Sequence, residues 1–350
     1  MINPKTLVRA MQAVLVVGGL GTRLRPLTYS RPKPLLPLLN RPMVSYLLDL
    51  LPDFVNEVIV PVSYMSRRMR DYFNSLHDGR NYVVVHEVEP LGTGGALANV
   101  ADHLTDDFLV FNGDIVSSID IKSLIDFHRE KEGVGTIALW DVENPEAFGI
   151  VQMDEDDRIT LFKEKPRGSE IVSHKANAGI YVLNESVLND IPAEKVVSLE
   201  REVFPEQVRE GLFGFGFEGY WVDCGTTENF LSASGMLMDY FGTDVSKEAL
   251  LGKNVKEEHP IVIGQGSKVS GGQIGPRVCL GNDVEVKGAS LSESVIMDST
   301  TIGKDVTVTS SIIGKHCVVP DKCVIERSVI ADDYELEKGE KVMGRKVGMR

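Results

Sequence analysis

The chain of 350 residues lacks the features that mark several classes of protein. No apolar run approaches the roughly 20 residues that span a bilayer, and the N-terminal residues do not have the basic and apolar regions of a secretory signal. The four cysteines form no CxxC pair, so neither a zinc site nor a disulfide framework is indicated. A formal net charge of -14 argues against nucleic-acid binding, which needs a basic face. We therefore expect a cytoplasmic protein without a membrane or nucleic-acid partner.

Acidic residues are absent from the segment 11–48, although the chain as a whole is acidic. An apolar run at 14–17 leads there into a glycine-rich turn at 18–21. Glycines let backbone N–H groups approach phosphate oxygens closely, and arginines add charge-assisted hydrogen bonds. The segment contains five basic residues: Arg23, Arg25, Arg31, Lys33 and Arg41. This pattern predicts a polyphosphate site, and the alternative is an ordinary solvated surface.

Two better-known phosphate loops do not match the segment. Residues 19–24 lack the third glycine of the dinucleotide fingerprint, and no Gly-Lys-Ser/Thr follows at P-loop spacing. Four prolines lie between positions 26 and 37, and prolines are not tolerated in a helix interior. We therefore expect an extended, stiff stretch that presents Lys33.

The chain is long enough for two domains. Over the first 235 residues, strand-like runs rich in Val, Ile and Phe alternate with helix-like segments. Such alternation predicts an α/β domain with a mainly parallel sheet, in which ligands bind at the carboxyl ends of the strands. The predicted strands are 14–17, 57–62, 82–88, 108–111 and 136–141. The predicted helices are 43–51, 65–75, 95–101 and 121–131, and residues 1–10 are expected to be an N-terminal extension.

Beyond residue 261 the sequence repeats with a period of six. Aliphatic residues recur at this spacing in the groups 296, 302, 308 and 313, 319, 325. A hexapeptide period predicts a parallel β-helix with coils of about 18 residues, whereas antiparallel strands would alternate with period two. Cys317 and Cys323 follow the same step and are expected in the core. The predicted division is a first domain at 1–235, a connector at 236–260, a β-helix at 261–335 and a tail at 336–350.

Two apolar runs of the first domain end in an aspartate. Asp114 follows the run at 109–111, and Asp223 follows the run at 220–222. A single aspartate at such a place is commonly a turn or cap residue. Two of them beside a polyphosphate loop predict a Mg²⁺ site, since Mg²⁺ prefers one or two carboxylates with phosphate oxygens and water. Glu164, Lys165 and Asn177 add groups suited to sugar hydroxyls and a monophosphate.

Eight ordered motifs of this chain resemble the sugar-1-phosphate nucleotidylyltransferases. They are residues 18–24, 32–37, 91–95, 112–114, 148–149, 164–166, 177–179 and 221–225. The resemblance covers nearly the whole chain and implies a Rossmann-like nucleotidyltransferase domain followed by a left-handed parallel β-helix. Within the family, segments 62–66, 89–93 and 198–205 are most similar to the mannose-1-phosphate guanylyltransferases. Thymidylyl- and uridylyltransferases share the core motifs, so the substrates stay open.

The resemblance implies a reaction in which NTP and a sugar 1-phosphate give NDP-sugar and pyrophosphate. Its site residues, matched motif by motif, fall into three groups. For catalysis, the family pattern implies Arg23 on the β and γ phosphates, Lys33 at the phosphates during transfer and Lys165 on the sugar 1-phosphate. It implies Mg²⁺ on Asp114 and Asp223, and sugar contacts from Gly149, Glu164 and Asn177. The implied nucleotide-binding residues are Leu20, Gly21, Thr22, Glu87, Gly92, Thr93 and Asp114.

Glu87 bears on the choice of base. The thymidylyl and uridylyl relatives tend to have Gln at this position, five residues before Gly92. A carboxylate only accepts hydrogen bonds, which suits the adjacent N1–H and N2–H₂ donors of guanine. We therefore interpret Glu87 as a guanine-binding residue and GTP as the nucleotide. The alternative is a glutamate that faces solvent at the end of its strand.

Two other functions are compatible with the same architecture. A non-catalytic relative would bind nucleotide sugar as a signal, but it would be expected to lose a basic or metal-binding position. A bifunctional enzyme would carry acetyltransferase activity in the β-helix, where His316 is more consistent with a solvent-facing structural residue. We expect the β-helix to mediate homo-oligomer formation rather than chemistry.

Overall fold

The computed structural model describes residues 11–348, in which the chain forms two compact units. The first unit contains residues 11–19 and 44–221, and the second contains residues 20–43 and 222–348. The expected N-terminal extension at 1–10 lies outside the described residues. None of the helices in the described range is long and apolar enough to cross a membrane.

A nine-stranded sheet forms the core of the first unit. Four neighbouring strands of this sheet are parallel, in the order Asp107–Asn112, Met11–Val16, Val55–Val62 and Asn81–His86. Their inward-facing residues, such as Val14, Ile59 and Val110, are fully buried. These strands confirm the predicted ones to within about three residues, and the glycines at 18 and 19 follow the carboxyl end of Met11–Val16.

The other side of the sheet is largely antiparallel. Lys175–Asn184 runs antiparallel to Asp107–Asn112, Gly135–Asp141 and Gly149–Met153. Ile159–Glu164 returns alongside Gly149–Met153 after a short turn, which is too short for the crossover that a parallel pair requires. Leu212–Gly216 is again parallel to Gly135–Asp141. The sheet is therefore parallel in its first half and mixed in its second.

The helices of the first unit follow the predicted positions. Ile121–Lys131 begins where the Asp120 carboxylate accepts the N–H groups of Lys122 and Ser123, and it buries one apolar face. The longer helices are Met43–Leu50, Ser66–Asn74, Gly92–Asn99 and Ile121–Lys131, and they confirm the four predicted helices. A π-helix at Leu199–Val203 leads into Phe204–Gln207. Short 3₁₀ turns lie at Ala101–His103, Pro145–Ala147, Gly168–Glu170 and Glu185–Asp190, and a short strand lies at Ile115–Ser117.

The proline-rich segment of the second unit is not extended as predicted. It forms 3₁₀ turns at Thr22–Leu24, Leu27–Tyr29 and Lys33–Leu35, followed by a two-stranded ribbon of Pro37–Leu38 and Arg41–Pro42. Proline is accepted in the first turn of a helix, where its missing N–H has no partner to lose. Pro34 occupies such a place. The prolines therefore start short turns.

A parallel β-helix forms most of the rest of the second unit. It follows the strand Trp221–Asp223 and the helix Thr227–Phe241, and it fits the left-handed β-helix that the resemblance implies. One ladder contains Asp244–Val245, Ile261–Ile263, Val278–Leu280, Val295–Ile296, Ile312–Ile313, Val329–Ile330 and Lys346–Val347. The other pairings join Leu250–Leu251, Val255–Glu257, Lys268–Ile274, Glu285–Ser292, Thr301–Ile302, Thr307–Thr309, Val318–Val319, Val324–Glu326 and Lys341–Met343. Cys317 and Cys323 are buried in its core, as predicted.

The coils of the β-helix are shorter than the predicted 18 residues. Ile296 pairs with Ile313, and Ile313 pairs with Ile330, so that stacked residues lie 17 positions apart. One side of each coil has five residues instead of six, as between Val308 and Ile313. The ladders extend from residue 244 to residue 347, beyond the range 261–335 that the repeat predicts. The flanking coils lack the regular aliphatic spacing on which that prediction depends.

Candidate active site

Glu87 lies against the glycine-rich turn of the first unit. It follows the strand Asn81–His86, and its backbone N–H donates to the carbonyl of Val62 at 2.9 Å. A Cβ atom at Gly18 would lie 2.7 Å from the Glu87 Oε2 atom. The hydroxyl of Ser63 donates to the Gly18 carbonyl at 2.5 Å. A side chain at position 18 would therefore displace the Glu87 carboxylate from this position.

The carboxyl group of Glu87 is buried and lacks a partner for one oxygen. The residue is 2% exposed, so it does not face solvent. Within the described part of the chain, its Oε1 atom has no hydrogen-bond donor. Burial raises the pKa of Glu87 to about 7, because an apolar environment disfavours the charged form. An unpaired buried acceptor is costly unless a ligand supplies a donor.

The glycines of the segment 91–95 allow the first turn of the helix Gly92–Asn99 to contact the backbone of Val197. The N–H groups of Gly94 and Gly95 donate to the Val197 carbonyl at 2.9 and 3.2 Å. Gly92 has a positive φ of 75°, and a Cβ there would lie 2.5 Å from the same carbonyl oxygen. The predicted nucleotide-binding residue Gly92 is thus required by the backbone geometry.

Glu164 and Gly149, both predicted to bind sugar, are neighbours on paired strands. A Cβ at Gly149 would lie 2.8 Å from the Glu164 Oε2 atom. Burial raises the pKa of Glu164, the negative charge of Glu200 raises it further, and Lys165 and Arg201 oppose this rise. Lys165 has a left-handed backbone, with φ of 48°, and its Nζ lies 3.8 Å from Glu164 Oε1.

A chain of hydrogen bonds connects the predicted sugar side with the predicted nucleotide side. Asn177 donates to the Tyr181 hydroxyl at 2.9 Å, and that hydroxyl donates to Glu200 Oε1 at 3.4 Å. The other oxygen of Glu200 accepts from the Thr93 hydroxyl at 2.8 Å. Thr93 in turn accepts from the Leu199 N–H at 2.8 Å. One carboxylate therefore holds together residues of two motifs.

Sequence reasoning assigned no role to Glu200 or Asn112, although both lie in quoted motifs. Glu200 lies in the π-helix Leu199–Val203, a rare form that is frequent at functional sites. The Asn112 Oδ1 atom is buried without a donor among the described residues. A buried acceptor of this kind is suited to a ligand hydroxyl. For Asn112 the sequence signal is its place at the end of the apolar run 108–111, two positions before the predicted metal ligand Asp114.

Arg23 and Asp223 both lie close to Gly225 in the second unit. The Arg23 Nη2 and the Asp223 Oδ1 are each 2.7 Å from the position that a Cβ would take at Gly225. Asp223 Oδ1 accepts the Gly225 N–H at 2.6 Å, and the Asp223 carbonyl accepts from Asn229 at 2.8 Å. The structure thus brings together a predicted phosphate ligand and a predicted metal ligand.

The remaining predicted residues of the loop differ in exposure. Leu20, Thr22 and Arg23 are exposed, whereas Lys33 is only 9% exposed. Gly21 has a positive φ of 61°, and a Cβ there would lie 3.2 Å from the Lys33 Cβ. The loop folds back on itself at this point.

The two predicted metal ligands belong to different units. Asp114 follows the strand Asp107–Asn112 in the first unit, and Asp223 ends the strand Trp221–Asp223 in the second. Both are half-buried carboxylates, and hard oxygen donors of this type suit Mg²⁺. The chemistry of each carboxylate therefore fits the predicted ion.

Two family models match the chain. The nucleotidyl transferase family matches residues 12–239, and a family described as the GMPPB C-terminal domain matches residues 257–348. A crystal structure of HddC from Yersinia pseudotuberculosis, complexed with GMP-PN, is similar with a TM-score of 0.54 and 26% identity. It covers 65% of this chain and 99% of that chain. Its likeness agrees with the α/β fold of the first unit.

Curated relatives match most of the chain. A protein of Drosophila pseudoobscura pseudoobscura, named mannose-1-phosphate guanylyltransferase catalytic subunit beta, is 37% identical over 279 residues, which are 76% of this chain and 74% of that protein. The mannose-1-phosphate guanylyltransferase of Mycobacterium tuberculosis is 35% identical over 295 residues, 83% of this chain and 82% of the relative. The resemblance found in the motifs is confirmed. The chain belongs to the nucleotidyl transferase family and is a sugar-1-phosphate nucleotidyltransferase.

Proposed function

We propose that this enzyme transfers GMP from GTP to mannose 1-phosphate in a Mg²⁺-dependent reaction. We infer GTP as the nucleotide mainly from Glu87, which lies beside the Gly18 backbone. Its buried Oε1 atom has no hydrogen-bond donor among the described residues. Guanine presents two adjacent donors, N1–H and N2–H₂, and a carboxylate can accept from both. Uracil and thymine present a donor between acceptors, which leaves a carboxylate poorly matched. The names of the two curated relatives support the same nucleotide and sugar.

The hydrogen-bonded cluster around Asn177 supports the proposed sugar side. Glu164, Asn177 and the Gly149 backbone offer acceptors and donors of fixed orientation for sugar hydroxyls. Lys165 places a partly exposed ammonium group next to Glu164, where it would bind the sugar phosphate. Hydrogen bonds to a polar group discriminate strongly, because an epimer with a misplaced hydroxyl leaves a buried partner unpaired.

In the proposed reaction, a phosphate oxygen of mannose 1-phosphate attacks the α-phosphorus of GTP. The new P–O bond forms as the bond to the bridging oxygen breaks, and pyrophosphate leaves. Arg23 would bind the β and γ phosphates, and Lys33 would contact the phosphates as charge moves to the leaving group. Asp114 and Asp223 would hold Mg²⁺, which when bound neutralises phosphate charge. No side-chain nucleophile is needed, since alignment and charge stabilisation supply the catalysis.

A substrate panel tests this proposal. The protein is incubated with Mg²⁺ and each of ATP, GTP, UTP and dTTP, paired in turn with mannose, glucose and N-acetylglucosamine 1-phosphates, and pyrophosphate release is followed. We expect the highest kcat/KM for GTP with mannose 1-phosphate and no turnover after chelation with EDTA. A higher kcat/KM for UTP or dTTP with glucose 1-phosphate would contradict the proposed specificity. Binding of nucleotide sugar without any turnover would favour the regulatory alternative.

A further inference from the structure

Arg31 is buried in the second unit, unlike Arg23 on the same loop. It is 8% exposed, and its guanidinium forms a salt bridge with Asp332 of the β-helix. The side chains of this pair are only 10% and 9% exposed. The hydroxyl of Ser30 donates to the same carboxylate oxygen, and Arg31 Nη1 lies 3.7 Å from the sulfur of Met297. Arg31 is therefore buried and neutralised by a partner from its own unit.

Asp332 is itself part of the β-helix backbone network. Its Oδ1 atom accepts the N–H of Lys315 from the preceding coil at 2.8 Å. Its Oδ2 atom accepts from Ser30 and Arg31 of the loop. The ammonium of Lys315 contacts Asp298, one coil further back, at 2.6 Å. One carboxylate oxygen of Asp332 thus accepts from the preceding coil, and the other accepts from the loop.

The loop at residues 20–43 has two further attachments to the β-helix. Asn40 donates to the Leu280 carbonyl at 2.8 Å, and the Lys346 ammonium donates to the Arg23 carbonyl at 2.8 Å. The loop is therefore held near both ends and in the middle by coils that span residues 280 to 346. Removing one partner of such a buried charge pair strongly destabilises the folded protein, because the other charge stays buried and unpaired.

We propose that Arg31 is a positioning residue, and that its salt bridge with Asp332 makes the β-helix the support of the phosphate-binding loop. This inference rests on the proposed function, which assigns phosphate binding to Arg23 and Lys33. Arg31 is two positions from Lys33, and both side chains are buried. Catalytic groups must be held close to their productive geometry, and a small displacement lowers the rate strongly. The β-helix then contributes to turnover without touching substrate.

The test compares Arg31→Met, Asp332→Asn and the double variant with wild type. Asp332→Asn retains the Oδ1 acceptor for the Lys315 N–H and removes the charge that meets Arg31. Arg277→Met is the matched control, because it breaks an exposed ion pair with Asp239 in the same unit. We measure kcat and KM for both substrates, and amide hydrogen exchange over residues 20–43.

We expect each single variant to lower kcat about tenfold or more, with little change in the KM for mannose 1-phosphate, whose proposed ligands lie in the other unit. The double variant should be no worse than the single ones, because both remove the same interaction. Exchange should become faster at residues 20–43 and stay unchanged in the strand Asp107–Asn112. Arg277→Met should match wild type.

Three results would overturn the inference. They are wild-type kcat in both single variants, multiplied losses in the double variant, or faster exchange throughout the chain. If Arg31→Met does not fold, Asp332→Asn alone decides. A wild-type protein that prefers another substrate pair would refute the proposed specificity only, and the variants would then be compared on that pair. If wild type turns over no pair, the proposed function and the positioning role both fail, and the exchange data still report the anchoring.

Discussion

The carboxylate of Glu87 lies so close to the backbone of Gly18 that a methyl group at position 18 would be 2.7 Å from Oε2. Gly18 lies in the turn after the strand Met11–Val16. Glu87 directly follows the strand Asn81–His86, which is two places along the sheet. Both lie at carboxyl ends of parallel strands, where ligands of α/β proteins bind. Burying a carboxylate there costs free energy of folding, but it provides a hydrogen-bond acceptor for a ligand.

Glu87→Gln should change nucleotide selectivity. The substitution replaces one acceptor oxygen with an NH₂ group that confronts a guanine donor, so GTP should lose about 1–3 kcal/mol of binding while UTP is affected less or favoured. We expect the ratio of kcat/KM for GTP over UTP to fall about tenfold or more at saturating sugar phosphate. Glu89→Gln is the control, since Glu89 is exposed and two positions away. An unchanged ratio in Glu87→Gln would exclude Glu87 as a base-reading residue.

The pH dependence of GTP use should report the ionisation of Glu87. Its pKa is raised to about 7 by burial, so the acceptor form is lost as the pH falls through 7. At pH 6 about a tenth of the free enzyme would carry the charged form, and kcat/KM for GTP should fall accordingly. Glu87→Gln should lose this step in the profile. A step that persists in Glu87→Gln would have to come from another group.

Glu200→Gln should weaken both halves of the site. All three side-chain hydroxyls around this carboxylate, from Thr93, Tyr181 and Ser198, are placed to donate to it. A glutamine would direct an NH₂ group at one of these donors and leave a buried group unpaired, at a cost of about 1–3 kcal/mol. We expect KM to rise about tenfold for both substrates. Glu206→Gln, at an exposed position six residues on, should leave both values unchanged.

Asp114→Asn and Asp223→Asn should each abolish Mg²⁺-dependent turnover. Asparagine retains an oxygen for the Gly225 N–H at position 223, so the local turn is kept while the negative charge is removed. Residual activity above about a tenth of wild type corresponds to only about 1.4 kcal/mol and would contradict the metal assignment of that residue. Asp126→Asn, which alters an exposed ion pair on a helix surface, is the control. Thermal unfolding of each variant checks that the fold is intact.

The sequence was most informative where long apolar runs fix a buried strand or helix. Met11–Val16 and Asp107–Asn112 were predicted because every residue of their central part is apolar. Gly149–Met153 and Ile159–Glu164 were missed, because polar residues interrupt these short strands. Pairing partners are long-range, and a single sequence does not record them.

The role of Arg31 could not be found from its neighbours in sequence. Arg31 lies two positions before Lys33, and the sequence alone does not distinguish it from the other basic residues of the predicted polyphosphate site. Its partner, Asp332, is 301 positions away in the sequence. It lies in a repeat in which no sequence feature distinguishes it from the other polar residues. Glu200 was hidden for a related reason, since its contacts with Thr93 and Tyr181 exist only after the chain folds.

The distance of 301 residues between Arg31 and Asp332 also sets an order of events during synthesis. Chains emerge from the ribosome N-terminal end first, and domains fold as they emerge. The sheet of the first unit can pair its strands once residue 216 has emerged, since its last strand is Leu212–Gly216. The loop that follows its first strand must wait for the last coils before it meets Asp332 and Lys346. A nascent chain stopped between residues 216 and 332 therefore has its sheet residues complete while the loop still lacks this salt bridge.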